Sequence, residues 1–268
     1  MNIKRAKICL IGDGAVGKTS LVQKFVLDKF DDSYITTIGT KVMKKDVEVS
    51  DTRVTMMLWD ILGQKDYNRL QSSSFVGSQG AILVLDRTRR ETLDSLSQYW
   101  SPRFKEVIPL GFLVIAANKN DLVEQFQLSQ SEIESFAKEL DAPYFLSSAK
   151  TGENVEKMFS SMAQMCLQER DIVSFTPKDR GISNLLEATD AVIDDFCKGL
   201  KDQDDAMPYV RQQCKITKLD IKSPDTISLL KFIDALHEID KMFLTSSEAS
   251  QNRIRRQGYV KKGEGKTS

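Results

Sequence analysis

GDGAVGKTSLV, residues 12–22, decides the reading of this chain. Three glycines fall within six residues, followed by a lysine and two hydroxyls. Before them lies a short apolar run, KICLI (7–11). After them Leu21, Val22, Phe25, Val26 and Phe30 recur at helical spacing. Glycines let successive backbone N–H groups converge on an anion with no Cβ in the way. A helix starting at Gly17–Lys18 turns its positive end to the same point. The pattern Gly12-x4-Gly17-Lys18-Thr19 is that of a P-loop. It predicts a polyphosphate cradled by Gly12, Asp13, Gly14, Ala15, Val16 and Gly17, with Ser20 just behind. Lys18 reaches the outer phosphates, and the Thr19 hydroxyl offers Mg²⁺ a hard oxygen ligand.

Four later runs, VTMMLWDI (54–61), GAILVLD (80–86), GFLVIAANK (111–119) and APYFLSSA (142–149), read as buried strands. Between the last three, and after them, lie helical patterns at 92–107, 129–140 and 154–170. Strands alternating with such helices predict a parallel sheet covered on both faces, with ligands beyond the carboxyl ends of its strands.

Those ends carry chemistry. NKND (118–121) places a carboxylate, Asp121, where it can accept from the ring N–H and exocyclic amine of guanine. Adenine offers neither in that geometry and would leave the acid unpaired. Lys119 can lie along the base, and Asn118 can tie its loop to the phosphate loop. SAK (148–150) ends the next strand, so that the Ala149 N–H, between Ser148 and Lys150, meets the guanine carbonyl. In WDILGQ (59–64), Asp60 is placed to hold Mg²⁺ through water and the Gly63 N–H to touch a γ-phosphate. ITTIG (35–39) supplies Thr37, whose hydroxyl completes a metal set of Thr19, Thr37 and Asp60.

Taken together, GDGAVGKTSLV, TTIG, WDILGQ, LQSSSFVGSQGAILVLD, NKND and SSAKTGENVEKMF resemble a Ras-superfamily small GTPase, most similar to the Rab-like branch. The resemblance covers about residues 5–170. It implies a P-loop GTPase domain of α/β class, a six-stranded, mostly parallel sheet flanked by helices, that binds GTP/GDP with Mg²⁺. By position, Phe30 matches the aromatic that packs edge-on against guanine. The family usually reads Trp-Asp-Thr-Ala-Gly-Gln-Glu; here Ile61, Leu62 and Lys65 replace Thr, Ala and Glu.

The catalytic expectation is GTP hydrolysis. Gln64 orients the attacking water, while Lys18 and Thr37 assist at the phosphates. No arginine precedes Thr37 in its loop, so slow intrinsic turnover is expected, with dependence on a GTPase-activating protein, alongside an exchange factor and effectors. The alternative is a GTP-loaded scaffold with little hydrolysis, motivated by the bulk of Leu62 beside Gly63.

At 268 residues the chain is longer than this domain needs, and its grammar changes after about residue 172. Three helical patterns follow, around ISNLLEATDAVIDDFCKGL, DDAMPYVRQQCKITKL and SPDTISLLKFIDALHEIDKMF, with Ser223 and Pro224 as the expected start of the third. The division read from sequence is 1–172 GTPase domain, 173–250 all-α segment of about three helices and 251–268 basic, disordered tail. Formal charge is zero over 1–170, −5 over 171–250 and +5 over 251–268, and zero overall, which gives no footprint for nucleic acid. The tail's Arg253, Arg255, Arg256, Lys261 and Lys262 are read as solvated, with weak contact to anionic lipid as the alternative. The helical segment is read as a stabilising extension, or as an effector arm, oligomerisation element or intramolecular regulator touching the switches. A cis arginine from Arg180 or Arg211 is the least favoured reading. The final GKTS contains no cysteine, so no prenyl anchor is expected. Cys9, Cys166, Cys197 and Cys214 form no CxxC pair and read as buried thiols. A cytoplasmic protein, peripheral at a membrane at most, is the expectation. His237 reads as a surface or boundary residue, and Trp59 and Trp100 as packing residues.

Overall fold

The computed structural model describes residues 2–30, 40–49, 51–65, 67–168, 181–200 and 203–265. It divides into two compact units. One comprises Met1–Thr37, Lys41–Gln64 and Ser74–Pro177; the other comprises Ile38–Thr40, Lys65–Ser73 and Lys178–Ser268.

The first unit is built on strands β1 (Asn2–Ile11), β2 (Thr40–Val49), β3 (Thr52–Ile61), β4 (Gly80–Asp86), β5 (Phe112–Asn118) and β6 (Tyr144–Leu146). They form one six-stranded sheet in the order β2-β3-β1-β4-β5-β6. Pairings of β1 with β3 and β4, of β4 with β5 and of β5 with β6 are all parallel. Period-two alternation sends Ile8, Leu10, Ile82, Val84, Val114 and Ala116 to one face. Cys9, Ile11, Ala81, Leu83, Leu85, Leu113 and Ile115 go to the other. Burial on both faces is why β4 and β5 read as continuous apolar runs.

Helices α1 (Lys18–Leu27) and α6 (Val155–Cys166) contribute to the first of these cores. The second takes residues from α3 (Glu91–Ser95), a π-helical turn (Leu96–Trp100), α4 (Ser101–Val107) and α5 (Gln130–Leu140). In the π turn the Ser101 N–H donates to the carbonyl of Leu96, one residue beyond the α-helical partner. Helix α5 starts at a reciprocal capping box between Ser129 and Glu132, which satisfies two otherwise orphaned donors.

The second unit contains four helices of the C-terminal segment, α7 (Leu185–Gly199), α8 (Gln203–Thr217), α9 (Thr226–Phe243) and α10 (Ser246–Gly263). Most of helix α2 (Asn68–Phe75) also lies in this unit. Buried apolar stripes run through it: Ala188, Val192 and Phe196 on α7, Met207, Val210 and Cys214 on α8, Leu229, Phe232, Ile233 and Leu236 on α9.

Several expectations are corrected here. The basic stretch is not a disordered tail: it is helix α10, opened by a Thr245/Glu248 capping box. Arg256 on that helix is fully buried, donating to Asp195 and Asp240, while Arg253 pairs with Asp234 and Arg255 with Asp195. Carboxylates of the acidic segment therefore pair with the three arginines among the charges that were read as solvated or lipid-facing, while Lys261 and Lys262 are exposed. Helix α9 is capped by Asp225, whose side chain accepts from the Ser228 N–H, rather than by Ser223. Pro208 lies inside α8, five residues past its start. Phe243, the last residue of α9, is 52% exposed and meets the Tyr209 ring edge-on. His237 is buried, its Nδ1 3.1 Å from the Ala249 carbonyl oxygen. All four cysteines are buried free thiols. No described helix is long and apolar enough to cross a membrane.

Candidate functional site

The loop between β1 and α1 is shaped by glycines. Gly12 has φ +146°, and a Cβ there would lie 2.2 Å from the Val84 carbonyl oxygen. Gly17 takes a left-handed conformation as the N-cap of α1, and its Cβ would meet the Asn118 Nδ2 at 2.2 Å. Neither position admits a side chain. Ala15 is also left-handed, at φ +63°. Lys18 is buried, and its Nζ donates to the carbonyls of Gly12 (2.7 Å) and Asp13 (2.8 Å). Burial pushes its ammonium down to about 8; Asp60 and Asp13 oppose the shift, and Arg89 adds to it.

The other loops converge on this one. The Thr19 hydroxyl donates to Asp60 Oδ2 at 2.5 Å, joining the start of α1 to the end of β3. Gly63 follows close behind: a Cβ on it would lie 2.5 Å from Lys18 Nζ and 2.6 Å from the Asp13 carbonyl carbon. Gln64 is next in the chain, half-buried, and Ile61 and Leu62 are buried. Asn118 ties three loops together: its Nδ2 donates to the Val16 carbonyl at 2.8 Å, and its Oδ1 accepts from the Ala149 N–H at 3.1 Å. Asp121 accepts from the Ser148 hydroxyl at 2.6 Å. Phe30 is 37% exposed, and Lys150 is exposed. Thr37 and Arg180 lie outside the described residues. Arg211, considered as a cis arginine, donates instead to the Thr40 carbonyl within the second unit.

Two contributions escaped the sequence reading. Trp100, fully buried, donates its indole N–H to Asp13 Oδ1 at 2.7 Å. Arg89 donates to the Gly14 carbonyl at 2.9 Å and to Asp86 Oδ2 at 3.1 Å. The same Asp86 oxygen pairs with Lys119 at 2.7 Å. Despite burial, Lys119 and Thr88 hold the Asp86 carboxyl below its ordinary range. The loop between β1 and α1 and the loop after β5 are thus linked through Arg89 and Asp86. The run DRTRR (86–90) was the available signal, since an acid closing a buried strand needs donors nearby.

The donor set fits a polyphosphate with Mg²⁺. Thr19 and Asp60 bring two hard oxygens side by side, and the Gly12 and Gly17 positions keep the loop backbone bare. No group of three or more His, Cys, Asp or Glu able to hold a metal occurs among the described residues. A cation here would complete its shell with phosphate and water oxygens.

This sheet order and this gathering of loops define the small-GTPase class. The sequence model of the Ras family matches residues 7–168. The chain is 35% identical over 165 residues to the Ras-related protein SEC4 of Saccharomyces cerevisiae, covering 62% of this chain and 76% of that one. It is 33% identical over 191 residues to Ras-related protein Rab-13 of Rattus norvegicus, covering 70% and 91%. To the GTP-binding protein ypt5 of Schizosaccharomyces pombe it is 33% identical over 189 residues, covering 69% and 89%. The chain belongs to the Ras family.

Proposed function

We propose that this protein is a guanine-nucleotide switch of Rab type, a signalling or trafficking regulator that binds GTP and GDP with Mg²⁺ and hydrolyses GTP slowly. The observation that carries the reading is Asn118, whose side chain joins the phosphate loop to the loop of Ala149 while Ser148 steadies Asp121. That arrangement supports recognition of guanine by the Asp121 carboxylate and the Ala149 N–H, with Lys119 beside the base.

The residues that would hold the metal are Thr19 and Asp60, joined by Thr37. Bound there, Mg²⁺ neutralises charge on the phosphate oxygens. Lys18 holds its proton on Nζ and aims it at the same oxygens; a polyphosphate replaces the two carbonyls it now engages. Backbone N–H groups from Gly14 to Lys18 position the phosphates, and Gln64 orients water. Exchange factors, activating proteins and effectors are the partners this reading requires.

Chromatography of the nucleotide released on denaturing the purified protein identifies the base and the number of phosphates. Guanine is expected; adenosine nucleotides bound as tightly would overturn the reading. Single-turnover hydrolysis then separates switch from scaffold: Gln64→Leu lowers the rate in a switch and leaves it unchanged in a scaffold.

A further inference from the structure

Helix α2 begins at Asn68, and the Tyr67 carbonyl accepts its first intrahelical bond, from the Gln71 N–H. The N–H groups ahead of Gln71 in this first turn have no carbonyl partner within the helix. Asp190, in the middle of α7, meets them: its Oδ2 accepts from the Arg69 N–H at 2.6 Å and its Oδ1 from the Leu70 N–H at 2.9 Å. A carboxylate at a helix start also complements the helix dipole. One turn further along both helices, Asp194 accepts from the Ser73 hydroxyl at 2.6 Å. The Tyr67 hydroxyl donates to the Ile221 carbonyl, between α8 and α9. Arg211 on α8 donates to the carbonyl of Thr40, at the head of β2. All these residues belong to the second unit.

The acids make little sense otherwise. Aspartate is a poor residue for a helix interior, and Asp190 is 2% exposed. Burial raises its carboxyl to about 7, and the chief opposing influence is the pair of bonds from Arg69 and Leu70. Asp190 and Asp194 are four residues apart, one turn of α7 on one face. That repeat matches the step from Leu70 to Ser73 on α2.

Covalent continuity gives these contacts a reach. Residues 65–73 directly follow Gly63 and Gln64, and Thr40 lies three residues after Thr37 in the sequence. We propose that the C-terminal helical segment is an intramolecular partner of switch II, the stretch that runs from Gly63 into α2: its Asp190–Asp194 face occupies the start of α2, slows nucleotide release, and must be displaced by any protein that acts there from outside. This rests on the nucleotide-switch reading above. It assigns the segment the role of a resident ligand of the switch rather than of a passive extension.

The test uses the full chain loaded with a fluorescent GDP analogue, in wild type, Asp190→Asn, Ser73→Ala and Tyr67→Phe. Asparagine keeps one acceptor and turns an amide donor toward a backbone N–H. Amide exchange at Arg69 and Leu70 should accelerate about tenfold or more in Asp190→Asn. Release of the analogue should quicken in parallel, with smaller shifts the same way in the other two variants. Amides equally protected in all four proteins would overturn the proposal. So would faster amides with unchanged release, which leaves only a structural role. Should Asp190→Asn fail to fold, the two milder variants decide by the same pair of readings. Absence of any guanine nucleotide from the wild type would sink the switch reading and the coupling with it; protection at Arg69 and Leu70 would still report whether Asp190 grips α2.

Discussion

Replacing Arg256 with methionine should unfasten the C-terminal helices, and the size of the effect can be worked from its surroundings. The guanidinium is 0% exposed, donating Nε to Asp195 Oδ2 at 2.8 Å and Nη1 to Asp240 Oδ2 at 2.6 Å. Its carbon lies 5.3 Å from the centre of the Phe196 ring. One side chain from α10 thus joins α7 to α9. Methionine keeps the length and apolar bulk of the stem and removes only the charge and its donors. Asp240, 1% exposed, is then a buried carboxylate without its cation. Breaking a buried pair from one side costs about 3–5 kcal/mol. Because each 1.4 kcal/mol is about a factor of ten, amides of α9 and α10 should exchange faster by roughly two to three and a half orders of magnitude. Native-state hydrogen exchange reads this helix by helix, without assuming a two-state melt. The companion variant Arg256→Met/Asp240→Asn removes the stranded charge and should recover most of the loss. A single variant that loses less than about 1 kcal/mol, or a double variant no better than the single, would refute the reasoning.

Four further outcomes are expected. The Lys18 ammonium is depressed from 10.5 to about 8 in the free protein, so the unfolded chain binds more protons between those values. Stability of the free protein should therefore rise with pH across that window, and nucleotide binding near pH 8.5 should take up protons. Calorimetry in two buffers of different ionisation heat measures this, and a null uptake contradicts it. Gly63→Ala forces a Cβ against Lys18 and the Asp13 backbone; displacement of the Gly63 peptide should lower single-turnover hydrolysis by about 10²-fold. Trp100→Phe deletes the donor to Asp13 while keeping the ring, and should cost the first unit about 1–3 kcal/mol, followed by Trp59 fluorescence in urea. Thr245→Ala removes the α10 cap and should destabilise that helix by about 1 kcal/mol, seen as faster exchange in its first turn.

The parts of the fold that were legible are those where one residue type answers one physical need. Gly12 and Gly17 announce themselves because no other residue fits their backbone. β4 and β5 do so because burial on both faces leaves unbroken apolar runs. Helix α10 was missed for the converse reason. Its buried positions are Ala249, Arg256, Val260 and Gly263, a stripe that contains an arginine and a glycine and so shows no apolar period. β2, with its three lysines, gave no strand signal of its own. Asp190 and Asp194 read as polar breaks in the α7 stripe. The donors that justify them lie more than a hundred residues upstream, which local pattern cannot reach. Arg89 and Trp100 were hidden in the same way: what each touches in the phosphate loop is fixed by tertiary closure.

The π turn at Leu96–Trp100 gives the helix one residue more than regular winding would place there. Deleting Ser97 or Gln98, inside the turn, would let the Ser101 N–H meet Leu96 as an ordinary α-helical partner and leave everything beyond in register. Deleting a residue ahead of the turn, within Glu91–Ser95, would instead swing everything beyond it by about 100°. Trp100 would then leave Asp13, and the mouth of the phosphate loop would register a length change made in a helix on the far side of the polypeptide's central layer. Lineages carrying this domain should therefore conserve the count of residues ahead of that turn more strictly than their identities, a constraint visible as gapless alignment where substitutions are otherwise free.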